Sequence, residues 1–184
     1  MDLGARTVRI AGQATELTSV EVKLLGALLR AAGFKIVLHW MPNLLGATPE
    51  SDREDFARLW QGYCPDEIKI YPTQLLESAA LYKFWQEGAY QPYDTETLID
   101  LLATIKPTIP PYCRVNRIIR DIPAQHIVAG SRRSSLRQDV LSEVARRGQR
   151  CHCIRCREVR GQAVAVEQLR LQDLTYPEIG RAHV

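Results

Sequence analysis

Three of the chain's five cysteines stand within six positions, Cys151-x-Cys153-x-x-Cys156, inside "RCHCIRCREVR" at 150–160. Thiolates are soft metal ligands, and three of them need a fourth partner to close a tetrahedral zinc site. His152 sits between two of the thiols, so its ring is expected to project away from theirs. His126, after "RDIP", is the better fourth ligand for the fold to bring in. Arginines around the motif would favour thiolates and offset a net negative site. The spacing leaves three readings open: zinc, which leads, then plain or redox thiols, then an iron–sulfur type of site. Cys64 and Cys113 stand alone and read as packing residues.

A second candidate lies in "DEIKIYPTQLL". Lys69 and Tyr71 are two positions apart, so on a strand they share a face. At the C-terminal end of a barrel strand, that face is where reactive groups collect. Spacing alone is also met by a surface lysine and a structural tyrosine, and His39 in "KIVLHW" fits a satisfied core histidine better than a ligand.

The third signal is charge. Residues 111–160 hold twelve arginines, no lysine and four acids, a net +8 in a chain of net +3. Arginine is the side chain that grips phosphate with two hydrogen bonds at once. A nucleic acid is therefore the leading partner, against a merely solvated basic face. Tyr82, Phe84, Trp85, Tyr90 and Tyr93 cluster in sequence; bases stack on such side chains, although core packing would use most of them.

These residues need elements to position them. "TSVEVKLLGALLRAAG" predicts a helix from a Thr18–Glu21 capping box to Gly33. "KIVLHW" predicts a strand. "SDREDFARLWQ" predicts a helix opened by a Ser-x-x-Glu box, and "DEIKIYP" a strand ended by Pro72. "LLESAALYKFWQEG" and "DTETLIDLLATIK" predict helices, the second capped by Asp94. Strands alternating with helices indicate parallel β-α-β units in a barrel or doubly wound sheet. Beyond "PTIPPYC", "RVNRIIRDIP" predicts a strand, "SSLRQDVLSEVARRG" a helix capped by Ser134 or Ser135, and "AVAVEQLRLQDLTY" two short strands. A boundary is expected near residue 110. No stretch of about 18 apolar residues suggests a membrane span. The N-terminus lacks a secretory apolar core, so a cytoplasmic location is the default.

"AGFKIVLHWMPNLLG", "KIYPT", "PPYCRVNRIIRDIP", "SSLRQDV" and "CHCIRCREV" occur in one order. From about Thr18 to Tyr176 the chain thereby resembles the catalytic subunit of Elongator and its bacterial and archaeal homologues. The resemblance implies an α/β fold: the C-terminal part of a partial radical S-adenosylmethionine (β/α) barrel, then a small zinc-binding linker. It implies an enzyme that modifies the wobble uridine of tRNA at C5. Such an enzyme uses an iron–sulfur cluster, S-adenosylmethionine and acetyl-CoA. By resemblance, Lys69 and Tyr71 line the reactive face. Arg114, Arg117, Arg120, Arg132, Arg133, Arg137 and Tyr82 face tRNA, and Cys151, Cys153, Cys156 and His126 hold zinc.

The family's cluster-binding cysteine motif and its acetyl-CoA domain have no counterpart in these residues. The expectation is a middle fragment, inactive alone: barrel portion 1–110, with 1–17 poorly matched, and basic linker 111–177. Residues 178–184, "EIGRAHV", are expected to be non-native, because GAG-ATC-GGA-AGA-GCA-CAC-GTC, a sequencing-adaptor start, encodes them. The alternatives are a stand-alone zinc-dependent nucleic-acid-binding module and, last, a small redox protein.

Overall fold

A computed structural model describes residues 7–10, 13–16 and 19–174. Its elements in chain order are β1 (Thr7–Ile10), β2 (Gln13–Glu16), α1 (Ser19–Ala31), β3 (Val37–Trp40), α2 (Pro49–Arg58), β4 (Glu67–Ile70), α3 (Leu81–Gln86), α4 (Thr95–Ile105), β5 (Arg114–Ile118) and α5 (Leu136–Arg146). β1 and β2 form an antiparallel pair. β3, β4 and β5 form a parallel sheet in that order, with helices in the crossovers. The expected α/β class, with parallel β-α-β units, is what folds.

The sheet sorts its residues by period two. Ile68 and Ile70 of β4 and Val115 and Ile118 of β5 turn to one face and are buried. They meet the apolar stripe of α4 (Leu98, Leu101, Leu102, Ile105) and that of α5 (Leu136, Val140, Val144), spaced three or four residues apart as a helix requires. Each such side chain contributes roughly 1.5–3 kcal/mol on burial. Trp40 and Phe56 pack edge-to-face with centroids 4.7 Å apart, and Phe56 meets Trp60 at 5.5 Å. The opposite sheet face carries Val37, His39, Glu67, Lys69, Arg114 and Arg117, none of them buried. The bulge at Ile68/Lys69 places Asn116 as an extra residue in β5, and its amide donates to Glu67 Oε1 at 2.6 Å. Sheet and core run without interruption across residue 110: β5 pairs with β4, and α5 packs on α4.

Several local expectations shift. α2 starts earlier than its Ser-x-x-Glu pattern suggested. Thr48 is the N-cap, Ser51 closes the capping box as the third helical residue, and Pro49 fits the first turn. α3 covers only Leu81–Gln86, because Leu75 is tied to Ala129 in an antiparallel bridge. Gly130 makes that close approach possible, with φ 99° and space for a Cβ only 2.9 Å from the Thr73 carbonyl oxygen. β5 ends at Ile118, because Ile119 adopts φ 93°, which a β-branched residue cannot continue as strand. Ser135 leads α5 without capping a backbone amide; its hydroxyl donates to Asp139 Oδ2 at 3.2 Å. The two strands expected in 163–176 are absent from the described part, 163–174. That stretch holds a 3-10 turn at Val166–Gln168, and Val164, Val166, Leu169 and Leu171 are exposed with no strand to pair against. The Thr18 cap, Tyr176 and residues 178–184 lie outside the described residues.

β3 forms one edge of the parallel sheet, and among the described residues nothing pairs with its outer side. Val37, Phe34 and, on α1, Leu24 and Leu28 are exposed.

A candidate metal centre and a polar sheet face

The three motif cysteines meet. Cys151, Cys153 and Cys156 place their Sγ atoms within 4.8 Å of one another. The backbone accounts for the convergence. Ile154 N donates to Cys113 O at 3.0 Å, fastening the loop to the residue before β5. Cys156 N donates to Cys153 O at 3.0 Å within the turn at Ile154–Arg157. Arg157 clamps the outside, donating to His152 O at 2.7 Å and Pro111 O at 2.6 Å. Hydrogen bonds among the thiols act in opposite directions, pulling the Cys153 thiol down and pushing Cys151 up, so the thiols titrate as one group. Burial pushes the Cys113 thiol up, and both Cys113 and Cys64 pack in the apolar core.

Beside the thiols stands a residue that the sequence reading passed over. Lys106 is 0% exposed, in a 3-10 turn that continues α4. Its Nζ lies 3.1 Å from Cys151 Sγ, 3.5 Å from Cys156 Sγ and 3.8 Å from Cys153 Sγ. His126 sits exposed on the turn Ala124–His126 and is not in the thiol group. The expectation that His126 joins the thiols is not met among the described residues: it is exposed and lies outside the thiol group. His152 is also exposed, 3.4 Å from Arg150 Nε. "IKPTIPPYC" contains a lysine followed by a proline, which reads as an ordinary helix end, so no sequence signal marked Lys106.

Lys69 and Tyr71 lie on the polar face, as their spacing required. Lys69 is level with His39 on one side and Arg117 on the other. Tyr71 extends the ladder, donating its N–H to Trp40 O at 2.8 Å, and its ring meets His39 edge-on at 5.3 Å. The arginines divide. Arg114 pairs with Glu158, Arg117 with Asp121 at 2.7 Å, and Arg133 with Asp139 at 3.2 Å. Arg132 donates to Ile127 O at 2.5 Å, and Arg137 to Val115 O and Asn116 O at 3.0 and 3.1 Å. Arg120 is exposed and makes no ion pair among the described residues. Among the described residues, Arg137 Nη1 and Arg155 Nε are buried without a partner, lining one cavity with Cys151 and Cys156.

The aromatic cluster separates into two. Tyr82 and Trp85 stack on α3 at 5.6 Å. Tyr90 and Tyr93 instead hold the loop before α2. Tyr93 OH donates to Asp52 Oδ2 at 2.8 Å, Asn43 N donates to the same oxygen at 2.8 Å, and Tyr90 OH donates to Asn43 O at 2.9 Å. Burial raises the Asp52 carboxyl above its ordinary range and Tyr90 to about 12.

Residues 65–146 match the Radical_SAM C-terminal domain. A tRNA uridine(34) acetyltransferase of Dehalococcoides mccartyi is 42% identical over 160 residues, covering 83% of this chain and 34% of that protein. The chain is a homologue of that enzyme. Elongator complex protein 3 of Homo sapiens is 35% identical over 144 residues, 77% of this chain and 25% of its own length. Among solved structures, the archaeal Methanocaldococcus infernus Elp3 with an N-terminal deletion superposes with a TM-score of 0.72 at 37% identity, over 79% of this chain and 35% of that one. The chain thus spans between a quarter and a third of the length of these relatives. Among the described residues no helix is long and apolar enough to cross a membrane.

Proposed function

We propose that this chain works as part of a cytoplasmic radical S-adenosylmethionine enzyme that modifies the wobble uridine of tRNA at C5. Its share is one wall of the barrel, a basic tRNA-facing surface and a structural zinc site. The observation that carries the reading is the 42% identity to a tRNA uridine(34) acetyltransferase across most of the chain. In the whole enzyme, an iron–sulfur cluster with S-adenosylmethionine supplies radical chemistry and acetyl-CoA supplies the acyl group.

The residues of this chain position and hold. Lys69 and Tyr71 stand side by side on the polar sheet face, suited to orient an anionic or carbonyl-bearing group by hydrogen bonds. Arg120 is the arginine best placed to take a phosphate, being exposed and unpaired, with Arg114, Arg117, Arg132, Arg133 and Arg137 contributing field and scaffold. Tyr82, stacked on Trp85, offers a ring edge to a base. Three converging thiols suit zinc: soft donors, a closed and largely buried loop, and no redox demand. Such a site fixes the linker by adding metal-binding free energy to folding.

The test uses the complete enzyme that carries this stretch. Lys69→Ala and Tyr71→Phe are each expected to lower wobble-uridine modification, read by mass spectrometry of tRNA nucleosides, by tenfold or more. Unchanged modification in both removes these residues from the active site. Metal analysis of the parent beside Cys153→Ser tests the zinc: equal zinc in both sinks the site.

A further inference from the structure

We infer that Lys106, through its Nζ, is the fourth ligand of the metal held by Cys151, Cys153 and Cys156. This rests on the metal reading given above and adds the identity of the ligand that closes the site.

Three observations carry it. The first is geometry. Nζ is within hydrogen-bonding reach of all three sulfurs at once, at 3.1, 3.5 and 3.8 Å. In a tetrahedral zinc site with Zn–S near 2.3 Å and Zn–N near 2.1 Å, a nitrogen and a sulfur ligand are about 3.6 Å apart. The three distances bracket that edge, so Nζ stands at the apex over the sulfur triangle.

The second is burial. A lysine that is 0% exposed needs a partner that justifies removing its charge from water, and among the described residues its Nζ finds three sulfurs. Coordination answers the burial directly. The nitrogen lone pair goes to the metal, and its proton leaves to solvent with the thiol protons, as metal binding requires. A divalent metal, three thiolates and a neutral amine sum to one negative charge. Arg137 Nη1 and Arg155 Nε, buried without partners in the cavity that Cys151 and Cys156 also line, face that charge.

The third is the lack of a competitor. Among the described residues no histidine, aspartate or glutamate joins the three thiols. His126 and His152 are both exposed.

The test is the metal's own ligand shell. The 184-residue chain is loaded with zinc and measured by X-ray absorption. The expected shell is three sulfurs and one nitrogen without the outer-shell scattering of an imidazole ring. With cobalt(II) in place of zinc, the parent should give an intense tetrahedral d–d spectrum. Lys106→Arg keeps the charge but cannot ligate; it should weaken zinc affinity at least tenfold in a chelator competition. Lys106→His should recover the tetrahedral cobalt spectrum, and His126→Ala should change neither measurement. An imidazole signature in the parent shell, or Lys106→Arg binding zinc as tightly as the parent, overturns the inference while leaving the metal site intact. A parent that takes up no zinc overturns both this inference and the metal reading beneath it.

Discussion

Arg114 and Glu158 form an ion pair, 32% and 30% exposed, that ties the start of β5 to the segment just after the thiol loop. Arg160 adds a longer contact to the same carboxylate at 3.6 Å. Glu158→Ala is expected to lower global stability only slightly, by about 0.2–1 kcal/mol. Its larger effect should be local: zinc should leave to a chelator several-fold faster than from the parent. Identical release rates in a stopped-flow chelator assay would show that the pair does not brace the loop.

Leu102 is fully buried where α4 meets the sheet. Leu102→Ala removes apolar contact and leaves a void, and should cost about 2–5 kcal/mol in urea unfolding. Leu141, half-exposed on α5, should lose far less on the same substitution.

Gly130→Ala should destabilise for a different reason. The added Cβ would meet the Thr73 carbonyl oxygen at 2.9 Å, with the backbone at φ 99°. A cost on the order of 1–3 kcal/mol is expected. It should come with loss of hydrogen-exchange protection at Leu75 N and Val128 N, which are bonded across the Leu75–Ala129 bridge.

Glu143 governs part of the acid limb. Hydrogen bonds from Arg146 and Arg147 hold its carboxyl down at about 2, against an ordinary 4.5. Its folded-state value lies below the unfolded one. The contribution is therefore present above about pH 4.5 and is lost as pH falls toward 2. Glu143→Gln should be less stable than the parent at pH 7, and the difference should shrink below pH 4. A constant difference from pH 7 to pH 2 would contradict the linkage.

If Arg120 takes a phosphate, Arg120→Ala should weaken tRNA binding and reduce the salt dependence by about one counterion. Arg133→Ala, which mainly releases Asp139, should leave the salt slope unchanged.

The sequence carried the periodicities well. Ile68 and Ile70, the stripe from Leu98 to Ile105, and the Asp94 cap onto Thr97 N at 2.7 Å all follow local rules of spacing and capping. It also carried the thiols, because their ligand spacing is short. What it could not carry was contact across distance. Lys106 and Cys151 are 45 residues apart, and only the packing of α4 beside the loop joins them. The same limit explains His126, which is nearer to the thiols than Lys106 in the linear count but is exposed and lies outside the thiol group. The expected strands at 163–176 had the right alternation but no partner among the described residues, and alternation alone does not make a ladder.

The open flank of β3 has a practical consequence. Among the described residues no strand pairs with the outer side of β3, where Val37 is exposed, and a strand edge open in this way can add a strand from a neighbour. Two copies of this chain meet that condition for each other. Protein concentration thus becomes a controlling variable: dilute samples report on the fold, while crowded ones drift toward edge-to-edge growth that a charge placed at Val37 would interrupt.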